Sequence, residues 1–406
     1  MSTLKAFKGW RPKKELVHQV AALPYDVMNT EEAKKMVEGN PYSFLHIDKP
    51  EMHISHPVGD ALYAFAGKKL EEMMEEGVFL QDDESLYIYG LTNAYTTQYG
   101  IVGCVSAEEY DKGLIKKHEN TRTDKEEDRI KHVSYCNAHT GPIFLAYKGQ
   151  DKLTQWLLQY VDAHVPIYDF TTEDGVRHVL YQLGQEEQQL VIKAFDKIEA
   201  LYIADGHHRA AAAAAIARKH RLEKTDTEGN QYFLATIFSK DQLYIMDYNR
   251  VLKDESGLAK EAFFDYLATY FEIEATSEAI YKPQAHHTFG MRYEKIWYKL
   301  TLKETLPLEA DPVAALDVSI LQNYILEPIF KIVNPKEDKR IDFVGGIRGL
   351  EELNRRTESE MDIAFSLYPT SMDELIAVAD QGALMPPKST WFEPKLRSGL
   401  LIHKMD

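Results

Sequence analysis

Cysteine is scarce in this chain, and long apolar runs are missing. Only Cys104 and Cys136 occur among the 406 residues, and they form no metal-binding pattern. That usage is typical of a reduced, cytoplasmic protein and excludes a small disulfide-stapled fold. No apolar run approaches the roughly 18 residues of a membrane span, and the N-terminus lacks the apolar core of a signal peptide. We therefore expect a soluble cytoplasmic protein with no membrane partner.

Basic residues are outnumbered by acidic ones. The chain has 47 Lys and Arg against 64 Asp and Glu, a formal net charge of −17. Because contacts to nucleic-acid phosphates need a basic surface, this balance predicts no nucleic-acid partner. It still allows a local basic pocket for a small anion, so the expected partner is a small molecule. The sequence leaves the oligomeric state open, a homo-oligomer included.

Hydrophobic periodicity predicts helices and strands that are mixed without strict alternation, which favours an α+β (mixed α/β) fold over a doubly wound parallel one. Helices are predicted over 60–76, 152–161, 186–198, 259–270, 312–325, 350–359 and 371–381. Strands are predicted over 85–91, 95–105, 141–147, 179–182, 232–238, 242–247, 293–302 and 362–367, with hairpins joining the first two and 232–238 with 242–247. No linker rich in Gly, Ser or Pro marks a boundary.

The most informative stretch joins a short apolar run, Leu201–Ala204, to an alanine-rich helix through Asp205 and a glycine. His207, His208 and Arg209 open that helix, and a helix N-terminus attracts anions, phosphate above all. An acid immediately before it can hold a divalent metal or orient a histidine. The pattern predicts a functional site. The alternative is that the acid only caps the helix and that the histidines are surface or core residues.

A second candidate is the segment 116–129, which is dense in charge of both signs. Glu119 can serve there as a general base or metal ligand beside His118. Three cations recur at a spacing that a helix would bring onto one face, where they could clamp phosphate or carboxylate: Arg122, Lys125 and Arg129. The alternative is a solvated loop and helix surface.

A third candidate is a proline-framed loop at 385–395. Its Lys388-Ser389-Thr390 resembles the tail of a phosphate-binding loop. The Gly-x-x-x-x-Gly frame is missing, which excludes a nucleotide-binding loop of the usual type. The loop can still deliver a lysine and two hydroxyls to an oxyanion, and a packing loop is the alternative.

The metal expected from these residues is magnesium rather than zinc. His207 and His208 are adjacent, so on a helix their side chains point about 100° apart and do not face one ion. Neither His-Glu-x-x-His nor Cys-x-x-Cys occurs. A hard cation held by Asp205 or Glu119 together with phosphate oxygens fits the donors better.

Four motifs in sequence order resemble a large bacterial and archaeal family linked to serine biosynthesis. They are Pro24–Asp26, His118–Thr121, Asp205–Arg209 and Pro386–Lys395. Over about residues 110–220 the order of motifs also resembles the ParB/sulfiredoxin-like superfamily, in particular its free-serine kinase branch. The resemblance implies a ParB-like catalytic core at 106–250, between α/β segments at 1–105 and 251–406. Relatives often carry His-Arg where this chain has Asn249-Arg250.

The resemblance implies chemistry on serine and O-phosphoserine. Glu119 would handle the proton of the serine hydroxyl, Asp205 would bind magnesium or orient a histidine, and Gly206–Arg209 would cradle phosphate. The predicted catalytic residues are Glu119, Asp205, His207 and His208. The predicted phosphate- and substrate-binding residues are His118, Arg122, Arg129, Gly206, Arg209, Lys388, Ser389 and Thr390.

Three functions share these residues. A phosphoserine phosphatase would use water as the acceptor, and a free-serine kinase would exchange phosphate between serine and an adenine nucleotide. A ParB-like regulator would bind nucleotide without turnover. Because the chain shows no independent adenine-binding signature, the sequence favours the phosphatase.

Overall fold

The computed structural model describes residues 2–54, 58–149, 151–305 and 311–406, which divide into two compact units. Unit 1 comprises Met1–Tyr244 and Pro394–Asp406, and unit 2 comprises Ile245–Glu393. Each unit combines helices with a largely antiparallel sheet, so the predicted α+β class is confirmed. None of the described helices has the length and apolarity needed to cross a membrane.

The strands are short and are numbered along the chain. They are β1 (Leu4–Lys5), β2 (Trp10–Pro12), β3 (Phe79–Gln81), β4 (Tyr87–Thr92), β5 (Thr97–Ser106), β6 (Ile115–Lys116), β7 (Ala138–His139), β8 (Ile143–Tyr147), β9 (Tyr168–Thr171), β10 (Arg177–Gln182), β11 (Leu201–Asp205), β12 (Tyr232–Ser239), β13 (Tyr244–Met246), β14 (Tyr248–Leu252), β15 (Phe271–Thr276), β16 (Thr288–Tyr293), β17 (Ile296–Leu302), β18 (Ile341–Gly345), β19 (Ile363–Ser366), β20 (Trp391–Glu393) and β21 (His403–Lys404).

The helices range from single turns to a long alanine-rich helix. They are α1 (Val17–Val20), α2 (Thr30–Met36), α3 (Leu45–Asp48), α4 (Ala61–Glu75), α5 (Ala107–Asp111), α6 (Thr123–Cys136), α7 (Asp151–Ala163), α8 (Gln185–Phe195), α9 (His207–Glu223), α10 (Glu228–Gln231), α11 (Lys260–Tyr270), α12 (Asp317–Leu321), α13 (Glu327–Phe330), α14 (Glu351–Ser359) and α15 (Met372–Asp380). A π-helical turn, Gln322–Leu326, joins α12 to α13.

Unit 1 is built on a nine-stranded sheet. Its strand order is β6-β11-β8-β12-β5-β4-β10-β9, with β1 also paired to β5. The pairs β6/β11 and β8/β12 are parallel, whereas the other neighbours are antiparallel. Because β5 lies beside β12, the sheet continues across the boundary that the sequence predicted at residue 105.

The alanine-rich helix α9 lies between this sheet and helix α6. Ala210, Ala213 and Ala217 pack in the sheet core, whereas Ile216 on the other side meets Val133 of α6. A helix that is apolar on most of its circumference is buried on most of it. Alanine suits that position because it is the best helix former and lets both layers approach closely.

Unit 2 contains a six-stranded antiparallel sheet in the order β15-β17-β16-β19-β14-β18. Helix α15 begins with a capping box in which the Ser371 hydroxyl accepts from the Glu374 amide and the Glu374 carboxylate accepts from the Ser371 amide. The predicted helix at 371–381 and its cap are therefore confirmed.

Two predicted elements of the sequence analysis are wrong. Residues 232–238 do not form a hairpin with 242–247, because β12 pairs with β5 and β8 instead. The helix predicted from residue 312 begins only at Asp317. The Asp311 side chain accepts from the Val313 amide and caps a single turn, but Leu316 is extended (φ −64°, ψ 139°) and separates that turn from the helix.

Candidate functional site

The turn between β11 and α9 has the arrangement that the sequence predicted. The pairing of β11 with β8 shifts register between Ile203 and Asp205, and such a bulge re-aims the side chain that follows it. Gly206 then adopts a φ of +91°, where a side chain would be strained. A Cβ there would meet only ordinary van der Waals contact at 3.7 Å from Ile143, so the backbone angle, not space, requires glycine.

The first turn of α9 has no side-chain cap. Gly206 occupies the N-cap position and has no side chain that could accept a hydrogen bond from the helix amides. Amides at an uncapped N-terminus carry partial positive charge and bind anions. The helix therefore begins as an anion-binding element.

The Asp205 carboxylate is fixed from two sides. Its Oδ1 accepts from the Gly206 amide at 2.8 Å, and its Oδ2 lies 2.8 Å from the Lys395 ammonium. Burial alone would raise the pKa of Asp205, but the Lys395 ammonium, aided by Arg209 and His207, lowers that pKa to about 2. Asp205 is therefore ionised at neutral pH. Its side chain retains 37% exposure, so a ligand can reach it.

His207 packs against the ring of His118. The two ring centroids are 4.5 Å apart with perpendicular planes, and the His118 amide donates to Nε2 of His207 at 3.4 Å. Burial lowers the pKa of His207 to about 4, and burial together with His207 lowers the pKa of His118 to about 3. Both imidazoles are therefore neutral at pH 7, and each can donate or accept a hydrogen bond without adding a charge.

Arg209 leaves the first turn of α9 beside the Pro24–Asp26 motif. Its Nη1 donates to the Pro142 carbonyl at 3.3 Å, and its guanidinium lies 5.6 Å from the centre of the Tyr25 ring. Arg129 lies 3.8 Å from the centre of the same ring. Gly141 permits this approach, since a Cβ there would come within 3.2 Å of Arg209 Nη1 and 2.9 Å of the Ser398 hydroxyl.

Glu119 directly follows His118 in a bend after β6 and is half-buried. Its carboxylate raises the pKa of His118 against the larger effects of burial and His207. The described part of the chain gives Glu119 no hydrogen bond or ion pair. A carboxylate held beside the site but not tied to a cation can accept a proton.

The three cations predicted to share one face of α6 lie in different surroundings, one buried and two exposed. Arg129 is buried at 7% exposure, donates to Asp128 and lies over Tyr25, so it backs the site. Arg122 lies before the first turn of the helix, is exposed and pairs with Asp124 at 2.7 Å. Lys125 is also exposed. The phosphate contact predicted for Arg122 and Arg129 stays a prediction.

Residues of the Lys388 loop belong to unit 2. Lys388 is exposed, with its ammonium 5.6 Å from the centre of the Tyr248 ring. Ser389 is 2% exposed and its hydroxyl donates to the Pro386 carbonyl at 2.6 Å. Thr390 is half-buried.

Asn249 is fully buried in unit 2. Its Oδ1 accepts from the Leu367 amide at 3.0 Å, and its side-chain amide donates to Asp247. In this chain the position therefore holds two strands and a turn together.

The structure thus gathers Asp205, Gly206, His207, Arg209 and Lys395, which we call the Asp205 site. His118, Tyr25 and Glu119 adjoin it through the contacts described above, and half-buried His208 follows His207 on α9. Sequence reasoning missed Lys395 and Tyr25. Both lie in motifs that the resemblance had marked, Pro386–Lys395 and Pro24–Asp26, so their motif membership was the available signal.

The donors present do not form a metal site by themselves. Among the described residues, no group of three or more His, Cys, Asp and Glu side chains could hold a metal ion. Both oxygens of Asp205 already have a partner. The residues therefore do not fit a divalent ion held by protein ligands alone, and the role of Asp205 as a metal ligand stays a prediction.

Solved structures resemble the chain only weakly. A free serine kinase mutant in complex with AMP is 14% identical, with a TM-score of 0.37, over 73% of this chain and 91% of that one. SbnI with C-terminal truncation from Staphylococcus aureus is 13% identical, with a TM-score of 0.37, over 72% and 82% of the two chains. A conserved hypothetical protein from Pyrococcus furiosus is 16% identical, with a TM-score of 0.32, over 73% and 93%. Likeness at this level does not transfer an activity.

A family match covers most of the chain. No curated protein matches this chain. The family described as "Protein of unknown function (DUF1015)" matches residues 4–319, which include the Tyr25, Glu119 and Asp205–Arg209 positions. That description names no activity. Because the match spans well over half of the sequence, the chain belongs to the DUF1015 family.

Proposed function

We propose that the chain is a phosphotransfer enzyme that binds a phosphorylated small molecule at the Asp205 site. One observation carries the proposal: an uncapped helix start, Arg209 and Lys395 surround an ionised carboxylate that remains open to a ligand. Phosphoryl transfer requires positioning and charge neutralisation more than covalent chemistry. A rigid strand–turn–helix supplies the positioning, and the helix amides with Arg209 supply the charge neutralisation.

Each side chain has a defined part in this proposal. The amides of the first α9 turn and Arg209 bind phosphate oxygens, with the Tyr25 ring supporting the Arg209 guanidinium. Glu119 removes the proton from the acceptor hydroxyl. His207, neutral at pH 7, hydrogen-bonds the substrate without adding charge.

For the substrates we propose serine and O-phosphoserine, with an adenine nucleotide as the other phosphate carrier. The state of Asp205 favours this direct transfer over a covalent phosphatase mechanism. Its two oxygens accept from the Gly206 amide and from Lys395, and we assign the carboxylate so oriented to positioning rather than to attack on phosphorus. A base such as Glu119 that activates a hydroxyl suits transfer to serine.

Hydrolysis, which the sequence favoured, is the second candidate. Water can take the position of the acceptor hydroxyl and lose its proton to the same Glu119 carboxylate. Magnesium fits either reaction only if phosphate and water supply most of its ligands, because the described residues offer no three-ligand set.

Release of serine and phosphate from O-phosphoserine, measured with magnesium and with or without ADP, tests the proposal. We expect turnover that depends on ADP and forms ATP. Release of phosphate without nucleotide would make the protein a phosphatase. If neither condition gives turnover, although calorimetry detects AMP or ADP binding, the protein is a regulator and the proposal is wrong. A Glu119→Gln variant, prepared in parallel, excludes a contaminating phosphatase.

A further inference from the structure

We infer that Lys395 is a positioning residue of the Asp205 site and that the segment Pro394–Asp406, here called the C-terminal segment, completes the site by delivering it. The role in turnover rests on the proposed function, whereas the coupling between Lys395 and Asp205 does not. Lys395 lies beyond residues 4–319, which the family match covers. The site therefore draws a residue from the very end of the chain.

Lys395 is much less accessible than the carboxylate with which it pairs. Its side chain is only 12% exposed, whereas that of Asp205 is 37% exposed, and the two charged atoms are 2.8 Å apart. A lysine this buried needs an anionic partner. Its ammonium also has the largest lowering effect on the pKa of Asp205. Lys395 thus keeps Asp205 ionised and fixes its Oδ2, leaving substrate contacts to Arg209 and the helix amides.

Arg397 anchors the C-terminal segment two residues further along. It is 3% exposed, its Nη2 donates to Asp174 and to the Thr172 hydroxyl at 3.0 Å, and its Nε donates to His178 Nε2 at 3.2 Å. The other ring nitrogen of His178 is bonded to the Tyr89 hydroxyl at 2.8 Å. This network, in which Arg397, His178 and Tyr89 are buried, fixes the segment beside Lys395 at one register.

The backbone of the segment is held as firmly as its side chains. Ser398 exchanges two hydrogen bonds with Ala22, and the Gly399 amide donates to the Thr140 carbonyl at 3.0 Å. Trp10 and Ile402 also exchange two bonds. Gly399 has a φ of +75°, and a Cβ there would come within 2.4 Å of the Phe44 ring, so only glycine fits. A segment bound at so many points positions Lys395 to within the tolerance that catalysis needs.

Thermal unfolding of a double-mutant cycle tests the coupling independently of any activity. The cycle uses Asp205→Asn, Lys395→Met and the double variant, with Lys404→Met as the matched control. Lys404 lies on the same segment, and its ammonium is near only the Cys136 carbonyl at 3.5 Å among its hydrogen bonds. We expect the double variant to lose less than the sum of the single losses in midpoint. Additive losses would overturn the inference.

Kinetics on O-phosphoserine tests the positioning role. For Lys395→Met we expect kcat to fall about 100-fold with KM nearly unchanged, and the acid limb of the pH profile to move to higher pH because Asp205 loses its main pKa-lowering partner. Lys395→Arg should restore most of the rate, and Lys404→Met should behave like the native chain. A loss confined to KM would mean that Lys395 binds phosphate directly, which overturns this role. Coupling in the cycle without turnover in the native chain would refute the proposed function alone.

Discussion

The Asp205 turn and the Lys388 loop were both predicted to bind phosphate, yet the fold treats them differently. At the Asp205 turn, contacts come from residues that are remote in sequence, such as Tyr25, His118 and Lys395. In the Lys388 loop, the Ser389 hydroxyl donates to the Pro386 carbonyl three residues earlier, and the Ser389 carbonyl accepts from the Thr370 hydroxyl. The Lys388 carbonyl likewise accepts from Arg250.

The comparison teaches that a polar motif binds a ligand only through groups that the protein leaves unsatisfied. Buried polar groups almost always find a partner within the fold. Ser389 has done so, whereas the first turn of α9 has no side-chain cap and Asp205 keeps an exposed flank. Lys388 is exposed and keeps its charge available, so the two regions can be separated by experiment.

Loss of the Glu119 carboxylate, which adjoins the Asp205 site, should lower activity more than any other change proposed here. Glu119→Gln keeps the size of a half-buried side chain but removes the proton acceptor, so we expect kcat to fall by about 10²- to 10⁴-fold. The thermal midpoint should barely change, because no described residue pairs with this carboxylate. Steady-state kinetics and a melting curve on the same preparation check both statements, and a folded variant with full activity would remove Glu119 from the mechanism.

Binding of O-phosphoserine should depend more on Arg209 than on Lys388. Arg209→Ala removes a charged hydrogen-bond donor held over Tyr25, so the Kd for O-phosphoserine should rise by about 10- to 100-fold. Lys388→Ala should give a smaller rise, since its loop offers no buried second donor. Isothermal calorimetry measures both, with exposed Lys193→Ala of unit 1 as the control. Equal rises in Kd for the two variants would show that the Lys388 loop also contributes to substrate binding.

Stability of unit 1 should depend on the docking of the C-terminal segment. Gly399→Ala combines a left-handed backbone with a clash against Phe44, so we expect the free energy of unfolding to fall by about 3 kcal/mol. Gly175→Ala is the matched control, because its φ of +78° is equally unfavourable but no atom lies within 4 Å. It should lose about 1 kcal/mol. Denaturant unfolding of both variants measures the difference, and equal losses would show that the Phe44 contact contributes nothing.

Buried acids of the two units should respond to pH in opposite ways. Among the described residues of unit 2, the nearest charged partner of Asp317 Oδ2 is His286 Nδ1 at 3.9 Å, and burial, with a contribution from Glu374, raises the pKa of Asp317 to about 7. A pKa above the unfolded value of about 3.9 means that its folded state binds an extra proton. That stabilisation is complete below about pH 4, falls by about 1.4 kcal/mol per pH unit between pH 4 and pH 7, and is fully lost above pH 7.

Asp317→Asn should therefore stabilise the protein relative to the native chain, and by more at pH 8 than at pH 5. Melting curves at the two pH values check this. Asp205→Asn provides the contrast, because Asp205 is already ionised at both values and its effect should be the same at each. A constant effect of Asp317→Asn would show that Asp317 has an ordinary pKa.

Local signals in the sequence determined much of this protein. The strand, glycine turn and alanine helix at 201–223, the hairpin of β4 with β5 and the capping box of α15 follow from periodicity and capping within a few residues. The pairing of β12 could not be predicted from the sequence. Its partners β5 and β8 lie more than 80 residues away, and the residues of β12 carry no signal that specifies which strands it pairs with.

The chemistry of the Asp205 turn divides in the same way. The sequence alone determined that an acid, a glycine, two histidines and an arginine open a helix. Only the tertiary structure decided that Lys395 pairs with Asp205 and lowers its pKa, that Tyr25 supports Arg209 and that Arg122 faces solvent. Charge and burial at a site depend on which distant segments pack there, and packing over such separations leaves no local periodicity to read.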